Sequence, residues 1–159
     1  IISKSNKNWN AFNFGLGNKN EKVEINLSQN THSSSLLDIL PTHVKSAPDS
    51  KTIGVETVTI KTLDFIFNEL VNENDIVLLK IDVQGFEKKV LDGAKESLSK
   101  IKGIQLEMSI EELYKGEMLF LEMITFLKSV GFNLQSLENG FYNEASGKLL
   151  QVDGLFFKD

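Results

Sequence analysis

Ile76-Val77-Leu78-Leu79-Lys80-Ile81-Asp82-Val83-Gln84-Gly85-Phe86-Glu87 is the stretch that decides the fold. Ile76 to Ile81 is a short, nearly continuous apolar run. Runs of that length, rich in Ile, Val and Leu, suit a strand buried on both faces, as in a parallel sheet. The run stops at an acid, Asp82; Gly85 follows, and then a helical pattern starts. The order is strand, tight turn, helix. In open α/β sheets ligands bind in the crevice beyond the carboxyl ends of the strands. Asp82 therefore stands where this architecture puts chemistry.

The flanking sequence extends that unit. Thr62 is an N-cap for a helix over Leu63 to Val71, with Asp64 in its first turn. After Gly85, the residues Phe86, Val90 and Leu91 are expected on one face, with Glu87, Lys88 and Lys89 outward. Asp92-Gly93 interrupts that helix, a further turn covers Ala94 to Lys100, and Ile104 to Met108 is the next strand. Strand, helix, strand is a βαβ unit, with a right-handed crossover expected. Glu117 to Val130 is the longest helical pattern and Gly131 its C′ residue. Phe132 to Leu137 alternates, Asn139-Gly140 reads as a hairpin turn, and Leu149 to Phe157 is a closing strand.

Upstream, Val23 to Leu27 and Val55 to Ile60 alternate with period two and read as strands that pair near each other. Trp9 to Phe14 is a weaker strand pattern, and a hairpin is expected from Ala11 to Leu27 across the turn Gly15 to Asn20. Ser28 to Ser35 is a polar loop, Leu36 to Leu40 one helical turn before Pro41, and His43 to Ile53 loop again. Ile1 to Asn8 is polar, unpatterned and expected to fray.

Composition bounds the function. With 159 residues, one domain with a true core is expected; 41% hydrophobic and 25% charged residues are ordinary for a globular chain. No apolar run approaches the roughly 20 residues of a membrane span. The net charge of −5 argues against a nucleic-acid partner, because such binding is carried by clustered cations. All 17 basic residues are lysine, so the planar fork of arginine is missing. There is no cysteine, which excludes disulfides and thiolate metal sites, and the two histidines, His32 and His43, are too few for a His-rich one.

Asp82 and Glu107 both lie at carboxyl ends of strands that the βαβ unit places in one sheet. Adjacent strands are about 4.8 Å apart, so the two acids can share a proton or a divalent metal, or one can act as general base. The plainer alternative has Asp82 accepting hydrogen bonds from the Val83 to Glu87 turn while Glu107 reaches solvent. Gly85 is read as a turn residue with positive φ. Gly15-Leu16-Gly17 is followed by a strand rather than a helix, which is not the pattern of a dinucleotide loop. His32 and Ser33 to Ser35 offer hydroxyls on a loop, with a solvated loop as the plainer reading.

Ile81-Asp82-Val83-Gln84-Gly85-Phe86-Glu87, followed by Val90-Leu91-Asp92-Gly93-Ala94, resembles the FkbM-type methyltransferases. Their pattern there reads lysine, isoleucine, aspartate, valine, glutamate, glycine, then an acid and a V-L-x-G-A run; Lys80 fits its lysine. Thr62-Leu63-Asp64, Gly15 to Lys19, Ser34-Ser35-Leu36 and Leu106-Glu107 match further points. The resemblance implies an α/β, class-I, Rossmann-like fold with a mainly parallel sheet, an added β-hairpin and an antiparallel C-terminal strand. It implies S-adenosylmethionine as cofactor and O-methylation of a hydroxyl on a sugar, lipid or other small metabolite, in the cytoplasm. Asp82 and Glu107 are then the expected catalytic residues. Ser34, Ser35, Asp82 and Val83 are the expected cofactor-binding ones, and no metal ligands are expected.

Two departures stand out. Gln84 replaces the family's glutamate. The family's Gly-rich turn after the first strand and the acid after the second find no counterpart, so the chain is expected to be an N-terminally truncated domain that binds the cofactor weakly or not at all. Two rival readings fit the same residues. One is a non-catalytic binding or oligomerisation module, for which a homo-oligomer is expected. The other is a metal-dependent hydrolase using Asp82 and Glu107.

Overall fold

A computed structural model describes residues 9–159, so the expected fraying of Ile1 to Asn8 lies outside the described residues. The central apolar run folds as β4 (Val77–Ile81), and the strand after it is β5 (Ile101–Ser109). The two pair in parallel, with Ile81 opposite Leu106. Between them lies α3 (Glu87–Asp92), which completes the expected βαβ unit. β6 (Asn133–Asn139) and β9 (Gln151–Phe157) finish a four-stranded sheet in the order β4-β5-β9-β6.

This sheet is mixed, not mainly parallel. β9 runs antiparallel to both β5 and β6, so β4–β5 is its one parallel pair. The cause is the return from β6: the chain doubles back through the short pair β7 (Tyr142–Asn143) and β8 (Lys148–Leu149), and β9 inserts between β5 and β6. That pair carries the reversal, with Gly147 at φ 71°, in place of the expected turn at Asn139-Gly140.

β4 is an edge strand, and exposed Leu78 and Lys80 on one of its faces correct the reading that both faces are buried. Ile81 is buried, but Leu78 is 56% exposed and Ile76, just ahead of the strand, 89%. The helices pack on the other face. α2 (Leu63–Leu70) is capped by Thr62, whose Oγ1 accepts from the Phe65 amide at 3.2 Å. α4 (Phe120–Ser129) is shorter at its start than the pattern suggested. Ile66, Leu91, Leu106, Met123, Leu127 and Phe156 meet in the core between helices and sheet.

The expected Ala11 to Leu27 hairpin does not form. β1 (Gly15–Leu16) and β2 (Glu21–Ser28) pair on opposite edges of β3 (Thr52–Lys61), β1 in parallel and β2 antiparallel. Trp9 to Phe14 is not a strand. The pairing of the Val23 and Val55 segments is as expected. Leu36 to Leu40 is not helical: Leu36 and Leu37 bend, Ile39 makes an isolated antiparallel bridge to Tyr114, and the helix starts rather than stops at proline, as α1 (Pro41–Ser46). Proline suits a first helical position, where its missing N–H has no partner to lose. His43, expected in a loop, is buried in this helix with its ring edge-on to Tyr114, 5.1 Å between centroids.

Candidate active site

The turn after β4 determines which acid faces the cleft. Gln84 and Gly85 both take positive φ, 55° and 89°. The glycine also admits Tyr114, because a β-carbon at position 85 would stand 2.7 Å from the Tyr114 Cβ. This turn presents the Val83 and Gly85 amides inward. Glu87 Oε1 accepts both, at 3.3 and 3.2 Å. Glu87 is therefore buried, 5% exposed, and not on the outer face of α3. Burial pushes its carboxyl up to about 7, although those amide hydrogen bonds oppose the shift. Because Glu87 fills the role of turn acceptor, Asp82 is free of it.

Asp82 and Glu107 leave the same end of the sheet, on adjacent strands. The Gln84 amide nitrogen lies between them, donating to Asp82 Oδ1 at 3.0 Å and to Glu107 Oε2 at 3.1 Å. Asp82 is half exposed, and its Oδ2 is 3.8 Å from Lys80 Nζ. Glu107 lies deeper and also accepts from Gln151 Nε2 at 2.9 Å. Burial pushes the Glu107 carboxyl up to about 7, and the charges of Asp82 and of Asp153, its β9 neighbour, add to the effect. Such an acid exchanges a proton near neutral pH.

Beside Asp82 lies a cavity of about 280 Å³. Its walls are largely apolar: Leu16, Ile25, Val58, Ile60 and Phe86. Asp82, Val83, Ser34 and Ser35 line it as well, so the four residues named from the sequence as cofactor-binding share one cavity. Glu107 is not in its wall. The serine hydroxyls hold the loop together: Ser35 Oγ donates to the Gln84 carbonyl at 2.7 Å, and Ser34 Oγ accepts from the Ser28 amide at 3.0 Å. The backbone of Gly15-Leu16 also forms part of the wall, although no helix follows it.

Sequence reasoning missed Gln151, Tyr114 and Asp153. Tyr114 is fully buried and its hydroxyl lies 2.9 Å from Gln84 Oε1 and 3.2 Å from the Ser33 carbonyl, both acceptors. Nothing local marks it, since the contact spans 30 positions to Gln84. Gln151 and Asp153 were hidden because the register of β9 on β5 is not readable from one strand alone. Among the described residues, no group of three or more His, Cys, Asp or Glu side chains is arranged to hold a metal ion, and no helix is long and apolar enough to cross a membrane.

A family model described as the methyltransferase FkbM domain matches residues 2–134. No curated protein and no solved structure matches the chain.

Proposed function

The chain belongs to the FkbM methyltransferase family, and from that premise we propose that it serves methyl transfer from S-adenosylmethionine to a hydroxyl oxygen of a sugar, a lipid or another small metabolite. The observation that carries this reading is the convergence of Asp82 and Glu107 at one sheet end, beside the cavity that Ser34, Ser35, Asp82 and Val83 line. We read the fold as part of one class-I, Rossmann-like methyltransferase domain. The βαβ unit β4-α3-β5, with its acids at the carboxyl ends, supports that.

S-adenosylmethionine, when bound, supplies an electrophilic methyl group on a cationic sulfur. The donor set fits the charged end of such a molecule. Asp82, Glu107 and Asp153 stand together, and Lys80 is 3.8 Å from Asp82. The fit is partial: about 280 Å³ is at the small end of ligand sites, which run from roughly 300 Å³ upward. Weak binding to the described residues is therefore part of the proposal.

Asp82 positions the acceptor hydroxyl, and its Oδ2 takes the hydroxyl proton. Glu107, with its raised affinity for protons, receives that proton or holds the pair at one net charge. The apolar walls exclude water from the transferring group. Asp82→Asn tests this in a methyl-transfer assay over hydroxylated acceptors. The rate should fall about 10²–10⁴-fold, as for loss of a general base, with unfolding unchanged. An unaltered rate contradicts the assignment.

A second reading, a non-catalytic binding or oligomerisation module, is favoured by one feature. The β4 edge is unpaired among the described residues, and Ile76 and Leu78 are exposed along it. A free strand edge is a template for pairing with another chain. A stable dimer in light scattering, lost in Leu78→Lys, together with no transfer activity, would support it.

A further inference from the structure

Gln84 stands in a backbone conformation that suits glycine, yet its side chain makes more polar contacts than either acid beside it. Left-handed φ costs a non-glycine residue about 1–2 kcal/mol, and such conformations persist where the surroundings over-determine them. Here four groups do so. The two hydrogens of the amide nitrogen go to Asp82 Oδ1 and Glu107 Oε2. The amide oxygen faces the Tyr114 hydroxyl, and the main-chain carbonyl accepts from Ser35 Oγ. These partners fix which end of the amide is which when the acids are ionised, because a carboxylate offers no hydrogen to an amide oxygen.

We propose that Gln84 is a positioning residue, whose amide holds Asp82 and Glu107 at a fixed separation and ties the pair to the Ser33–Ser35 loop of the cavity wall. Side by side, the two carboxylates repel; a neutral double donor offsets that repulsion without adding charge. A glutamate at 84 has no hydrogen for either acid when ionised and sets a third negative charge against them. Through Tyr114, which also reaches the Ser33 carbonyl, and through Ser35, the same residue braces the loop. A shift of the loop is thereby felt at the acids, and the reverse.

This rests on the proposed role of Asp82 and Glu107, but its test needs neither cofactor nor acceptor. Glutamates of the full chain are labelled with ¹³C at the side-chain carboxyl and titrated by NMR, the Glu107 resonance being assigned by its loss in Glu107→Gln. The charged and titratable groups facing Glu107 are Asp82 just past β4, Asp153 on β9, Glu87 on α3 and Tyr114 on the covering loop. None of them changes in Gln84→Asn. Asparagine tolerates positive φ and keeps the amide, but is one carbon too short to bridge. The Glu107 midpoint should rise by about one unit, the scale of one lost hydrogen bond to a charged group. Gln84→Glu, of equal size, should raise it further and keeps the test readable if the shorter side chain disturbs the turn. Glu87 feels the charge of Glu107 and should move with it, whereas Glu117, held by Ser109 and the Leu113 and Tyr114 amides, is the internal control and should stay in place. A Glu107 midpoint unmoved in both variants overturns the proposal. That outcome leaves the methyl-transfer reading standing, because Asp82→Asn tests it separately.

Discussion

Gly93 lies so close to Gly17 that a β-carbon at position 93 would stand 2.0 Å from the Gly17 carbonyl oxygen. Two glycine-bearing stretches far apart in sequence, Gly15-Leu16-Gly17 and Asp92-Gly93, thus meet backbone to backbone. Their contact anchors the first sheet on the βαβ unit, beside the cavity. Backbone cannot swing aside as a flexible side chain does. Gly93→Ala should therefore destabilise by about 3 kcal/mol or more in urea unfolding. Gly54, on exposed β3 with no described residue within 4 Å of a β-carbon, is the control; Gly54→Ala should stay within about 0.5 kcal/mol.

Asp64 has a structural explanation. Its Oδ1 accepts from the Ser97 amide at 2.8 Å and the Ser97 hydroxyl at 2.6 Å, and its Oδ2 from the Glu96 amide at 3.1 Å. One carboxylate thus caps the 3₁₀ turn Ser97–Lys100 from the first turn of α2. Asp64→Ala leaves buried Ser97 without its acceptor and should cost about 1–3 kcal/mol. Thr62→Ala, which removes the cap of α2, should cost about 1 kcal/mol. Thermal melts of the two variants check both values.

Among the buried groups that make stability depend on pH, Glu87 and His43 act with opposite sign. Glu87 has its carboxyl raised to about 7 by burial, from a usual 4.5. Between those values the folded protein holds a proton that the unfolded chain has released. This contribution is complete below pH 4.5 and is lost as pH rises through 7. Glu87→Gln keeps an oxygen for the Val83 and Gly85 amides but does not ionise. Its melting temperature relative to the wild type should climb from pH 5 to pH 8.

His43 behaves oppositely. Burial lowers it to about 4, and its Nδ1 has no hydrogen-bond partner among the described residues. Its contribution is present above pH 6.5 and is lost as pH falls through 4. His43→Phe keeps an aromatic ring against Tyr114 and should flatten the acid limb of the same melting curve.

Much of the βαβ unit was legible because its signals are local. Val77 to Ile81 alternates with nothing but needs only its apolar run and its closing acid; Thr62 announces α2 by its own chemistry. What failed was non-local. No property of Ile76 or Leu78 tells whether a neighbour covers them, so an edge strand was read as a central one. Gly15-Leu16 lies one short turn before Glu21 in the chain yet pairs with Ile60 and Lys61. Glu87 looked outward by helical position, but the inward amides of the Gln84-Gly85 turn drew it in. For the site, Asp82, Val83, Ser34 and Ser35 stand out by local pattern and line one cavity, whereas Tyr114 and Gln151 depend on contacts that only folding creates.

We propose that the cleft at the tips of β4 and β5 receives the cationic end of the methyl donor. Amide chemical-shift mapping with millimolar S-adenosylmethionine, repeated with its neutral-sulfur product S-adenosylhomocysteine, tests it most directly. The account predicts shifts at Leu16, Ser35 and Val83, weak binding, and a preference for the charged donor that Asp82→Asn abolishes. Shifts confined to the groove at the other end of the sheet, lined by Phe67, Asn72 and Lys100, or equal response to both molecules, would contradict it.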